Sequence, residues 1–238
     1  MKKVLAISSS RVGDGGFLQA AIPVISEFLQ AGSAIAFIPF ASVERDYEAY
    51  GDMVRAAFAG LPFSVNIVLP ENGRAVIEQA DAIMTGGGNT FKLLHDIYDL
   101  DLFDLIQSKV SNGTPYVGWS AGANITGLTL CTTNDMPIIQ PKSFKALGFL
   151  PFQINPHYIN QKLEGHNGET RDQRLTEFVK LNPGIPVIGL PEGTWLKLEN
   201  EALIYSGIQE GILFQSNSHT DFVRKEIPSG QNLSWLLK

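Results

Sequence analysis

Short, nearly unbroken apolar runs constrain this chain more than anything else in it. Val4–Ser8, Ala34–Phe40, Val65–Leu69, Ala82–Thr85, Pro115–Trp119 and Pro186–Leu190 place apolar residues at successive positions instead of alternating them with polar ones. A strand with one wet face alternates, so runs of this kind read as strands buried on both faces, the habit of parallel sheets. Between them lie segments of helical periodicity: Phe17–Gln30, Val43–Leu61, Arg74–Ala80, Thr90–Asp99 and Leu102–Val110. Ala31-Gly32 and Asn112-Gly113 end two of these as helices commonly end. The alternation predicts an α/β fold with a mostly parallel sheet and helices on both faces. In such sheets ligands bind outside the carboxyl ends of the strands, so the residues just after each strand carry the most information.

Past Glu192 the pattern changes to alternating strands. Thr194–Leu198, Ala202–Tyr205 and Ile212–Gln215 are expected as antiparallel hairpins at the C-terminal edge of the sheet. A last helix is predicted over Arg171–Leu181, where Thr170 and Gln173 have capping-box spacing. Cys131–Gln161, with Pro137, Pro141, Pro151 and Pro156, reads as loop-rich. No repeat or linker interrupts the 238 residues, a length that one hydrophobic core can support, so residues 1–238 are expected to form one domain.

Charge and cysteine content exclude several functions. With 18 Lys and Arg against 24 Asp and Glu, the net charge is −6, and no basic run exceeds Lys2-Lys3. Nucleic-acid binding needs clustered cations and is not expected. The apolar runs fall well short of the roughly 18 residues that cross a bilayer, so no membrane association is expected. Only Val4–Ile7 follows Met1-Lys2-Lys3 before the polar Ser8–Arg11, which is too short for a signal-peptide core. The single cysteine, Cys131, excludes a disulfide framework and a multi-thiolate zinc site, and the expected compartment is the cytoplasm. Asp99, Asp101 and Asp104 lack the glycine and glutamate of a calcium loop and read as solvated helix ends. Neither metal nor cofactor is expected.

The most informative stretch is Pro115-Tyr-Val-Gly-Trp-Ser120-Ala-Gly122-Ala. An apolar strand runs into Gly-x-Ser-x-Gly and then into small residues that open a helix, the context of a nucleophile elbow. The alternative is a plain strand-to-helix turn with Ser120 as its cap. Gly86-Gly-Gly-Asn-Thr-Phe91 follows the strand Ala82–Thr85 and fits neither a phosphate-binding loop nor a dinucleotide fingerprint. Its amides suit an oxyanion hole in which the Gly88 N–H meets the Ala121 N–H; a ligand-free tight turn fits equally.

A serine nucleophile needs a base, and the base an orienting carboxylate. His157 and His166 both lie after the serine, and spacing does not choose between them. Asp135 and Glu192 are the candidate acids, Glu192 because it follows a predicted core strand. Arg171 would occupy the first position of its helix, where a cation opposes the dipole. A guanidinium there is suited to holding a ligand carboxylate.

Six segments in order extend the picture: Gly86–Phe91, Gly118-Trp-Ser-Ala-Gly-Ala-Asn124, Thr133-Asn-Asp-Met-Pro137, Gln153-Ile-Asn-Pro-His157, Gly165-His-Asn-Gly-Glu-Thr-Arg171 and Gly189-Leu-Pro-Glu-Gly193. Together they closely resemble the peptidase E family, bacterial α-aspartyl dipeptidases of serine type related to cyanophycinase. The similarity runs from about Val4 to Leu198. It implies a flavodoxin-like or class I glutamine amidotransferase-like fold, a cytoplasmic location and hydrolysis of dipeptides with an N-terminal aspartate; apart from the resemblance, a monomer or homodimer is expected. It also implies His157 as the base, with Asp135 as the conventional third member and Glu192 as its competitor. A cyanophycinase-like peptidase, an esterase and a non-catalytic small-molecule binding domain are the alternatives.

Overall fold

The computed structural model describes residues 1–161, 165 and 167–238. In chain order its elements begin β1 (Val4–Ile7), α1 (Ile22–Phe28), β2 (Ala34–Ile38), α2 (Tyr47–Ala57), β3 (Ser64–Ile67), α3 (Gly73–Gln79), β4 (Ala82–Thr85), α4 (Thr90–Asp99) and α5 (Phe103–Ser111). They continue with β5 (Tyr116–Trp119), α6 (Ala121–Asn124), β6 (Gln153–Pro156), α7 (Arg171–Leu181), β7 (Val187–Leu190), β8 (Thr194–Glu199), β9 (Ala202–Gly207), β10 (Gly211–Gln215) and β11 (Val223–Ile227).

Seven strands form the main sheet in the order β3-β2-β4-β5-β1-β8-β9. β3, β2, β4, β5 and β1 pair in parallel, and every residue of β1, β4 and β5 is buried, as the unbroken apolar runs require. β8 and β9 add an antiparallel hairpin at the β1 edge. β8 alternates buried and half-buried residues, as a strand with one covered face should.

A second sheet departs from the expected arrangement. Its order is β11-β10-β7-β6, with β6 and β7 parallel and the other pairs antiparallel. Pro186–Leu190, expected in the main sheet, contributes β7 here, and Ile212–Gln215 pairs with β7 instead of extending the edge hairpins. Buried apolar residues say that a strand is covered, and nothing in them says by which sheet. β6 lies inside the stretch read as loop, because Gln153, Asn155 and Pro156 disguise a fully buried strand. β11, Val-Arg-Lys-Glu-Ile, is exposed at all but its last residue, a charged edge that resists pairing with another chain.

Helix ends follow local chemistry. α4 and α7 span the predicted residues; Asn89 caps α4 by accepting from the Lys92 amide at 3.0 Å, and the Thr170–Gln173 capping box is formed. α1 is shorter than its periodic segment and carries a proline in its first turn, where a missing N–H costs nothing. Among the described residues no helix is long and apolar enough to cross a membrane.

Candidate active site

Four strand ends converge on one place. Gly86–Asn89 follows β4, Ser120 follows β5, His157 follows β6, and Glu192 stands two residues beyond β7. The first two strands belong to the main sheet and the last two to the second, so the site lies where the sheets meet.

Ser120 has φ 53° and ψ −114°, a conformation that L-residues seldom adopt. Its surroundings impose it. The Ser120 N–H donates to the Ile7 carbonyl at 3.1 Å, while its own carbonyl accepts from Ala123 and Asn124 at 3.0 and 2.9 Å and so starts α6. A Cβ on Gly118 would strike the carbonyl of Gly122, and one on Gly122 the carbonyl of Thr85. Both flanks of the turn therefore require glycine.

The His157 ring sits between two partners. Nδ1 lies 2.9 Å from Glu192 Oε1, and Nε2 lies 3.0 Å from Ser120 Oγ. An ionised carboxylate only accepts, so Nδ1 carries the proton and donates to it, leaving Nε2 to accept from the Ser120 hydroxyl. His157 also has positive φ, 50°. Its amide donates to Ser8 Oγ at 3.0 Å, and Ser8 Oγ donates to the Leu190 carbonyl at 2.8 Å, so the buried end of β1 ties β6 to β7.

Of the two candidate acids, the structure brings Glu192 to His157. Asp135 is engaged elsewhere: its Oδ2 accepts from the Thr90 amide at 2.7 Å, from Thr90 Oγ1 at 2.6 Å and from Thr133 Oγ1 at 3.1 Å. The Asp135 loop is pinned by Asn134, whose amide donates to the Pro156 carbonyl at 2.7 Å, and by Asn89, which donates to the Met136 carbonyl at 2.9 Å.

In the glycine loop, the amides of Gly86, Gly87 and Asn89 donate to the Ile38 carbonyl, the Tyr50 hydroxyl and the Ala41 carbonyl at 2.9–3.1 Å. The amides of Gly88 and Ala121 meet no acceptor among the described residues. Tyr50 holds this loop against the serine turn: its hydroxyl accepts from Gly87 and from Trp119 Nε1 and donates to the Gly87 carbonyl. Burial pushes its pKa up to about 12, so the hydroxyl remains a donor well into the alkaline range.

A cavity of about 280 Å³ opens beside the serine, lined by Thr90, Ser120, Ala121, Asp135, His157 and Arg171 among others. Arg171 is half-buried, and among the described residues its only side-chain hydrogen bond is a 3.5 Å contact to Asn155 Oδ1. Desolvation, reinforced by Arg174, holds its pKa below the usual guanidinium value. Its helix is anchored one residue on. Tyr158 donates to Asp172 Oδ1, and Arg224 Nε donates to Asp172 Oδ2 at 2.7 Å.

The structure thus gathers Ser120, His157, Glu192, Asp135, Ala121 and Arg171, while His166 lies outside the described residues. Sequence reasoning missed Ser8, Tyr50, Tyr158, Asp172 and Arg224. Ser8 had one legible signal, a polar residue closing the first apolar run at the carboxyl end of β1.

The chain is similar over almost its whole length to bacterial peptidases. It is 46% identical to a Peptidase E of Shewanella sp. (strain MR-4) over 235 residues, 98% of each chain. It is 49% identical over 205 residues to a Peptidase E of Haemophilus influenzae (strain Rd), which covers 84% of this chain and 93% of the relative. The fold matches a crystallised peptidase from an acI-B1 Actinobacterium with a TM-score of 0.68 at 16% identity, over 98% of this chain and 96% of the other. What these similarities define is a peptidase. Residues 4–205 match the model of peptidase family S51, and the chain belongs to that family.

Proposed function

We propose that the protein is a serine-type dipeptidase that hydrolyses dipeptides with an N-terminal aspartate through an acyl-enzyme. The observation that carries this reading is the series Ser120 Oγ to His157 to Glu192, with separations of 3.0 and 2.9 Å. Ser120 Oγ attacks the peptide carbonyl carbon as His157 Nε2 takes its proton. The tetrahedral intermediate collapses, the C–N bond breaks, and the leaving amine receives that proton from His157. Water, deprotonated by the same nitrogen, then attacks the ester, releasing aspartate and restoring Ser120. Glu192 fixes the tautomer and steadies the imidazolium, and the Gly88 and Ala121 amides receive the oxyanion.

Arg171 accounts for the aspartate. A half-buried guanidinium facing a small cavity pairs with a carboxylate more effectively than an exposed one would. The setting that fits one exposed free cysteine, Cys131, is the reducing cytoplasm. The test is release of aspartate from Asp-Leu by the purified protein, with Ala-Leu beside it. Asp-Leu is expected to be the far better substrate, and Ser120→Ala to abolish turnover while the circular dichroism spectrum is kept. Equal rates on the two dipeptides would refute the specificity.

A further inference from the structure

The two oxyanion donors belong to separate segments, the glycine loop after β4 and the serine turn after β5, and the sheet does not hold those segments together where the donors stand. The last β4–β5 pair is Thr85 with Gly118. Beyond it the amides of Gly86 and Asn89 turn to the Ile38 and Ala41 carbonyls on the β2 side, while the Ser120 amide goes the other way, to Ile7 of β1. We propose that the Tyr50 hydroxyl sets the spacing of the Gly88 and Ala121 amides, which makes Tyr50 a positioning residue for the oxyanion hole; this rests on the dipeptidase reading above.

Three observations carry it. First, among the described residues Tyr50 Oη is the one side-chain atom hydrogen-bonded to both segments. It accepts from the Gly87 amide at 2.9 Å and from Trp119 Nε1 at 3.2 Å, and it donates to the Gly87 carbonyl at 3.2 Å. A phenol has one proton to give, and here it is given within this junction. Second, the ring itself is fixed. Phe37 and Phe17 meet it edge-on, with centroids 5.1 and 6.3 Å away, and a Cβ on Gly86 would strike the phenol. Third, the segments already touch beside the nucleophile, since a Cβ on Gly87 would run into the Ser120 side chain. Contact of that kind limits how close the two approach; hydrogen bonds, being directional, decide how each is turned.

An oxyanion hole works because its donors are aimed beforehand at the place where charge develops. The cavity beside the serine is lined by Thr90, Asp135, His157 and Arg171 among others, and by neither Gly87 nor Tyr50. Loosening the glycine loop therefore weakens the transition state and leaves ground-state binding intact, so the loss falls on kcat. Tyr47 supplies a control. It lies one turn earlier in α2 and is also buried, but its hydroxyl serves α4, accepting from Lys92 Nζ at 2.9 Å and donating to Asp96 Oδ2 at 3.2 Å.

The test is steady-state kinetics on Asp-Leu with circular dichroism on the same preparations. Tyr50→Phe should lower kcat by about 10- to 100-fold with KM changed by about twofold or less, a smaller loss than removal of an oxyanion donor itself causes. Tyr47→Phe, which also deletes a buried hydroxyl from α2, should keep kcat within about threefold of wild type. Should Tyr50→Phe fail to fold, Trp119→Phe cuts the same junction from its other side, and the same loss confined to kcat is expected. An equal fall in kcat for the two tyrosine variants, or a loss that appears in KM, overturns the proposal and leaves the dipeptidase reading standing. Absence of wild-type turnover on Asp-Leu overturns that reading and this assignment together.

Discussion

At the scale of single residues, two carboxylates of the same motif set have different surroundings. Glu192 meets the imidazole at 2.9 Å with its side chain 48% exposed, so water competes for the contact. Glu192→Gln should therefore lower kcat on Asp-Leu by about 10²–10³, less than the roughly 10⁴ measured for the buried equivalent in chymotrypsin-like enzymes. KM should change little, because the loss falls on the proton-transfer step. Steady-state kinetics on Asp-Leu would check it. Glu192 was legible in the sequence only as a competitor, through topology, since it follows a buried run, while the resemblance ranked Asp135 ahead of it. Asp135 stood in an equally distinctive motif, and no spacing argument could reveal that Thr90 and Thr133 hold its oxygen.

At the scale of elements, helices and strands with matched local signals emerged as read. α4 and α7 combine apolar periodicity with a side-chain cap, and β4 is a buried run bounded by a glycine cluster. β6 escaped because its polar residues are satisfied by long-range partners: Asn155 donates to the Thr132 carbonyl and to Asn134, and Gln153 pairs with Thr129. A local pattern cannot show where a buried amide finds its bond. α7 supplies a further prediction. Asp172, held by Tyr158 and Arg224, fixes the first turn of the helix that carries Arg171. Asp172→Asn should raise KM for Asp-Leu several-fold with kcat largely kept. In an Arg171→Ala background it should add almost nothing, because the two residues act on one contact. Additive effects in that double-mutant cycle would refute the coupling.

For the molecule as a whole, the division into two sheets was the part of the fold least visible in advance, yet it determines where the site lies. Ser8 closes the seam. Ser8→Ala leaves the His157 N–H without its acceptor, at a cost of about 1–3 kcal/mol, which for a chain of this size lowers Tm by several degrees. Because His157 is held at positive φ by this bond, kcat should fall by about ten- to a hundredfold as well. Thermal denaturation followed by calorimetry, with kinetics on the same preparation, would read both effects. The net charge of −6 gives an acidic dipeptide no long-range attraction, which leaves the proposed recognition of aspartate to local cations such as Arg171.

β6, α7 and β7 follow one another along the chain and form a single strand-helix-strand unit. That unit brings His157 at its first turn, Arg171 at the head of its helix and Glu192 just past its end, while Ser120 and the amides of Gly88 and Ala121 follow strands of the main parallel sheet. On the proposed reading, the base, its carboxylate and the guanidinium that meets the substrate side chain all fall within one contiguous stretch, residues 153–192. A lineage could retune what it cleaves by drift or recombination within that stretch alone, leaving the strained serine turn, which tolerates almost no change, untouched.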